Sequence, residues 1–289
     1  MAGECLPARF YSVAKFSFGG QKSASKPPQA ICKPLCIMKK MTEQEKAKGI
    51  EIVSLGLAKI VSNYSDNALL INACHVAADR YRTLETTNGL STTANIPPQL
   101  RLDNEIDVQY SNEDLTRVYM TTVQEVVFRN YIIVSVSIVD AVLEDLYRHF
   151  LTVVDSTLSD PELDKKVRNA WTNDNLLNFL TDGENLNLQK PNDLNTEFSE
   201  AFMRYSELRI IRHTLLHSDG KLSDRNQQKL IENRDNTPDE RKHFALINSP
   251  IFSADHEVQL TINHVLSIRQ YLDRFLMYIF KSIQEKEPE

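Results

Sequence analysis

A chain of 289 residues can form one large domain or two smaller ones, and 42% hydrophobic with 25% charged residues is ordinary globular composition. Only 8 glycines and 11 prolines interrupt long apolar-periodic stretches, so an all-α fold is expected and many short strands are not. The net charge of −6 argues against a surface that holds nucleic acid by bulk attraction, while leaving a transient nuclease open.

Residues 1–41 read as a disordered basic tail or non-native leader. The first forty contain seven Lys/Arg against one acid, so the remainder carries −12, and no apolar run there resembles a signal peptide. Met38 and Met41, just before Thr42-Glu43-Gln44-Glu45, suggest a translation start. Cys5, Cys32, Cys36 and Cys74 make no disulfide framework in a chain of this size, which predicts a reducing, cytoplasmic setting. Cys32 and Cys36 have metal spacing, but no second Cys/His pair answers them, so no metal is expected.

Residues 42–104 are predicted to form an N-terminal helical region and loop. Ile50, Val53, Leu57, Ile60 and Val61 recur at helical steps, Leu69, Ile71 and Ala77 resume them, and Asn63-Tyr64-Ser65-Asp66 marks a possible break between two helices. Thr86 to Asn104, with Asn88-Gly89 and Pro97-Pro98, reads as loop. Residues 105–289 form the predicted main bundle. Its first helical block starts near Ser111 and reaches about Val154, long enough that one interruption is expected. The run Tyr131–Leu143 falls short of the ~20 apolar residues of a spanning helix, so it reads as core and no membrane partner is expected.

Asp160 is the expected N-cap of the next helix with Pro161 at its first position, and Leu176, Leu177 and Leu180 stripe a short helix ending near Asp182-Gly183. Thr196 then caps a helix in which Phe198, Phe202, Tyr205, Leu208, Ile211 and Leu215 follow at three- or four-residue steps, with Gly220 as its left-handed stop. The highly charged stretch 221–249 contains Arg225, Lys229, Arg234, Arg241 and Lys242, which can either guide an RNA or simply solvate the surface. A terminal helix capped by Ser253 or Asp255 runs through Val258, Val265, Leu272 and Ile279.

The chemistry-bearing residues lie at the end of the Phe198 helix, in Arg212-His213-Thr214-Leu215-Leu216-His217 followed by Ser218-Asp219-Gly220. Arginine offers a permanent charge on a planar fork of donors, and histidine exchanges a proton near neutral pH, so the two together suit a phosphodiester. At ~100° per residue, Arg212 and His217 stand roughly 140° apart on an ideal helix, and two helices meeting at their C-terminal ends would gather both residue types around one phosphate.

This helix, with Glu207 upstream, Arg212, His213 at the next position, His217 and the Ser-Asp-Gly stop, resembles the HEPN superfamily. The resemblance covers about residues 110–283 and its specific motif about 207–220. It implies an HEPN-like helical bundle, a homodimer facing across a cleft, and metal-independent endoribonuclease activity leaving a 2′,3′-cyclic phosphate and a 5′-hydroxyl. Arg212 would hold the scissile phosphate, His217 transfer a proton, and His213 orient its neighbours, with Asp140, Glu144 and Glu207 in support and no cofactor. It further implies a toxin-like role in defence or stress, held in check by an antitoxin or regulatory partner.

The same residues have other readings. Arg212 can pair with Glu207 or Asp219 while His217 caps the helix, and His213 with His217, four apart, can hold a metal. Asp140 and Glu144 share a helical face and can be a plain polar edge, and Trp171 and Tyr205 read as core. The competing function is a noncatalytic HEPN-like module for dimerisation or nucleotide binding. No Gly-Lys-Ser/Thr phosphate loop is present, which argues against a built-in P-loop ATPase.

Overall fold

The computed structural model describes residues 41–84 and 90–287. The tail expected over residues 1–41 lies outside them except for Met41, which is buried, and so do Cys5, Cys32 and Cys36. The described residues are mostly helical, as the composition predicts.

Helix α1 (Glu43–Thr83) is opened by a capping box in which the Thr42 hydroxyl accepts from the Glu45 amide and the Glu45 carboxylate accepts from the Thr42 amide. The break expected at Asn63-Tyr64-Ser65-Asp66 is absent: α1 is one helix of 41 residues. Asn63 donates to Ser135 Oγ at 2.8 Å and Asn67 donates to the Asn63 carbonyl at 2.7 Å, so these polar side chains find partners without leaving the helix. Two glycines let α1 lie close on its neighbour. A Cβ at Gly49 would come 2.5 Å from Phe150 Cζ, and one at Gly56 would come 2.4 Å from Val142 Cγ2. Beyond α1, the expected loop holds a short 3-10 turn, Pro98–Leu100, and the strand β1 (Leu90–Ser91), which pairs antiparallel with β2 (Gln109–Tyr110) in the stretch after it; the sequence announced neither.

The expected interruption of the next block falls at Thr121, whose φ of −127° and ψ of −81° separate α2 (Asn112–Met120) from α3 (Thr122–Val154). By length and composition the stretch Asn112–Val154 is apolar enough to cross a membrane, with mean hydropathy 1.8 in its most apolar window, and 56% of that window is buried inside the protein. Tyr131, Ile132, Val136, Val139 and Leu143 are fully buried, and α3 packs against α1, α6 and α8. Val53 and Ile60 of α1 belong to this same core.

Helix α4 (Asp160–Arg168) is capped one residue earlier than expected, by Ser159, because Glu162 completes a capping box from that position. Helix α5 (Asn175–Thr181) follows. Helix α6 (Phe198–His217) has Glu197, not Thr196, at its N-cap, with no side-chain cap; the Thr196 carbonyl instead accepts from the Tyr278 hydroxyl. The predicted stripe of α6 is buried from Phe198 to Leu215. The charged stretch contains α7 (Asp224–Asp235), capped by Ser223 and anchored by the fully buried Leu230. Helix α8 (Ile262–Glu285) starts later than expected. Its cap is Thr261, paired with His264, because the residues around Ser253 and Asp255 are drawn into bridges between Lys221 and Glu257 and between Phe252 and Val258.

Candidate functional site

Helix α6 ends where the sequence expects it to, at His217. Gly220 adopts φ +88°, and Asp219 also takes a left-handed φ of +47°, a position glycine usually fills. Asp219 is held there by Arg129, whose Nη1 lies 3.1 Å from its carboxylate while Nη2 pairs with Glu125 at 2.8 Å. The amides of Ser218 and Gly220 both donate to the Thr214 carbonyl, and Val258 donates to the Gly220 carbonyl at 2.8 Å.

Arg212 points from α6 toward α3. Its Nε donates to Ser137 Oγ at 2.9 Å, its Nη1 lies 3.6 Å from Asp140, and 31% of the side chain remains exposed. Asp140 also receives the Tyr205 hydroxyl at 2.8 Å and stands 2.8 Å from Arg209 Nε. Burial pushes the Asp140 carboxyl above its ordinary range, partly offset by the Arg209 charge, the Tyr205 hydrogen bond and Arg212. Of the proposed supporting acids, Asp140 therefore meets Arg212 directly. Glu144 does not: it accepts from Trp171 Nε1 at 2.7 Å, and that indole carries the Arg209 guanidinium 3.7 Å above its ring. Glu207 is engaged elsewhere, with Arg204 at 2.8 Å and the Leu246 amide at 3.1 Å, and burial raises its carboxyl too. Neither Glu207 nor Asp219 pairs with Arg212, so that expected alternative is replaced by the contacts to Ser137 and Asp140.

His213 and His217 are exposed and lie one turn apart, ring centroids 4.7 Å apart and planes tilted by 47°. Among the described residues no three His, Cys, Asp or Glu side chains cluster as metal ligands. Arg212 and His213 line a groove of about 930 Å³ between α6 and α7, whose walls also carry Trp171, Arg209, Arg225 and Lys229. His217 lies past the groove's lining, beside His213.

Sequence reasoning missed Arg209 and Ser137. Their spacing carried the signal, since Arg209 precedes Arg212 by three on α6 and Ser137 precedes Asp140 by three on α3, each pair sharing a helical face. Trp171, expected in the core, is half-buried and takes part in the site.

Comparisons with protein-family models, with curated proteins and with solved structures give no match to this chain.

Proposed function

We propose that the chain is a metal-independent endoribonuclease of HEPN type, acting as a homodimer on RNA through attack of a ribose 2′-hydroxyl on the adjacent phosphate. The observation that carries the reading is Arg212: a guanidinium fixed by Ser137 and Asp140, open to a groove, and next in sequence to an exposed histidine whose ring lies 4.7 Å from that of a second one. Fixing one side of the fork leaves donors free for phosphate oxygens, and a preorganised cation is worth most where charge develops in the transition state. His213, ring to ring with His217, supports the role of orienting it. His217, exposed at the helix end, is free to take the 2′-hydroxyl proton or to protonate the leaving 5′-oxygen. Convergence of two α6 ends in a dimer would supply the second histidine that a separate base and acid require. A toxin-like role in cellular defence, under control of a regulatory partner, follows from the family resemblance.

The test is incubation of end-labelled RNA with the protein in EDTA, beside Arg212→Ala and His217→Ala. Wild type is expected to yield 2′,3′-cyclic phosphate and 5′-hydroxyl ends, and each variant to lose about 100-fold or more in rate while staying folded. Equal cutting of RNA with blocked 2′-hydroxyls would overturn the chemistry. An inert wild type that forms stable dimers would favour the noncatalytic module.

A further inference from the structure

We infer that the groove between α6 and α7 is a binding site for single-stranded RNA, with Arg209 as a platform for a base and Arg225 and Lys229 as contacts for the flanking phosphates. The inference rests on the nuclease reading for the identity of the ligand, but its residues lie outside the proposed catalytic set.

Arg209 carries the first part of the argument. Glu144 holds the Trp171 indole through Nε1, Trp171 covers one face of the Arg209 guanidinium at 3.7 Å, and Asp140 sits 2.8 Å from its Nε. A guanidinium backed on one face by an indole and paired with a carboxylate is a planar cation that can offer its other face to a ligand, and Arg209 lines the groove with 28% of its side chain exposed. An unpaired base stacks on such a plane, whereas a paired base inside a duplex presents no free face.

The wall opposite supplies the charge. Arg225 and Lys229 are four apart on α7, which puts them on one face, and both are exposed without a carboxylate partner among the described residues. Most other cations near the site are engaged: Arg204 with Glu207, Arg241 with Glu200, and Lys242 with Asp239. The groove lining holds four Arg/Lys against two acids, Asp174 and Glu232, and Asp140, outside that lining, pairs with Arg209 and Arg212, which leaves an excess of one positive charge in a chain whose net charge is −6. Local positive charge on an acidic protein confines an anionic ligand to this place instead of spreading it over the surface. The volume of about 930 Å³ is that of a site for a nucleotide-sized ligand and far exceeds what a lone ion needs. Since Arg212 and His213 line the same groove, a strand lying along it would bring a phosphate to Arg212.

The experiment measures binding of a fluorescent single-stranded 2′-O-methyl RNA of roughly a dozen nucleotides, which has no nucleophile and so reports binding apart from chemistry. Four proteins are compared over a salt series: wild type, Arg225→Ala/Lys229→Ala, Arg209→Lys, and a control, Lys59→Ala/Arg80→Ala, that removes the same charge from exposed positions on α1. Removing both phosphate contacts is expected to weaken binding about tenfold at low salt and to make log K against log salt shallower by about 1.4. Arg209→Lys keeps the charge and loses the plane, so it should weaken the single strand while leaving the slope unchanged, and the control should match wild type. Equal loss in the control and the groove variant, no loss in either, or no binding by wild type would overturn the inference. The two readings fail separately. Cleavage by wild type with binding indifferent to Arg225 and Lys229 sinks the groove alone, and groove-dependent binding with intact natural RNA sinks the nuclease alone.

Discussion

Removing the Asp140 carboxylate tests how the site is held. In Asp140→Ala, Arg209 loses a partner at 2.8 Å and Arg212 one at 3.6 Å, while the Tyr205 hydroxyl, with a single proton to donate, still has the Val136 carbonyl at 3.0 Å. The cost therefore falls on the two guanidiniums. Breaking a fully buried ion pair costs about 3–5 kcal/mol, but these guanidiniums are 28% and 31% exposed and can be rehydrated, and Arg209 keeps its stack on Trp171, which brings the figure to about 2 kcal/mol. For a protein of this size that is a fall in Tm of roughly 3–4 °C. Calorimetry on the wild type, Asp140→Ala, Arg209→Ala and the double variant closes the cycle, and a coupling of about 1 kcal/mol or more is expected between the two positions. A wild-type Tm for Asp140→Ala, or strictly additive single losses, would refute the view that Asp140 organises the arginines.

Three further outcomes are expected. Gly56→Ala gains about 1 kcal/mol of helix propensity but must displace the stiff, branched Val142, so urea melts should show a net loss of about 1 kcal/mol; a Val142→Ala background should turn that loss into a gain. Gly220→Ala should destabilise by about 1 kcal/mol in the same assay, because its φ of +88° strains any side chain although Arg129 Nη2, the nearest atom to the new Cβ, is 3.5 Å away. The pH dependence follows from the raised Asp140 carboxyl. A folded-state value above the unfolded one means that the folded protein holds this proton more tightly, so the contribution is full in acid and is lost as pH rises through the shifted range. Asp140→Asn lacks that slope, so the stability of wild type relative to the variant should fall as pH rises above the ordinary carboxylate range, and a difference that grew with pH would contradict the burial that causes the shift.

The amphipathic stripe of α6 was legible because each of its buried residues sits at a three- or four-residue step, and the stop at Gly220 because few residues tolerate that backbone. The Asn63–Asp66 break was misread because Asn63 finds Ser135 across the helix pair and Ser65 donates to the Val61 carbonyl of its own helix, while Asp66 is exposed, so the polar patch has no need to end the helix. The family resemblance put Asp140, Glu144 and Glu207 alike in support of Arg212, and packing decides that only Asp140 meets it. Arg209, one turn before Arg212 on the same helix, was within reach of sequence reasoning, whereas the indole under it belongs to another segment and only packing brings Trp171 to it. The cap shift at Ser159 comes from competition with the neighbouring Asp160, and that at Thr261 from the bridges between Lys221 and Glu257 and between Phe252 and Val258, which the local pattern does not show.

Helix ends ordinarily fray, and a side chain in the last turn wanders with them. The end of α6 is tied down from three directions, by the Thr214 carbonyl taking two amides, by Arg129 gripping Asp219, and by Val258 donating to Gly220. His213 and His217 thus project from a helix end whose last turn is closed by these contacts. Whatever they meet must come to them, and the entropic penalty of ordering the last turn has already been met when the chain folds.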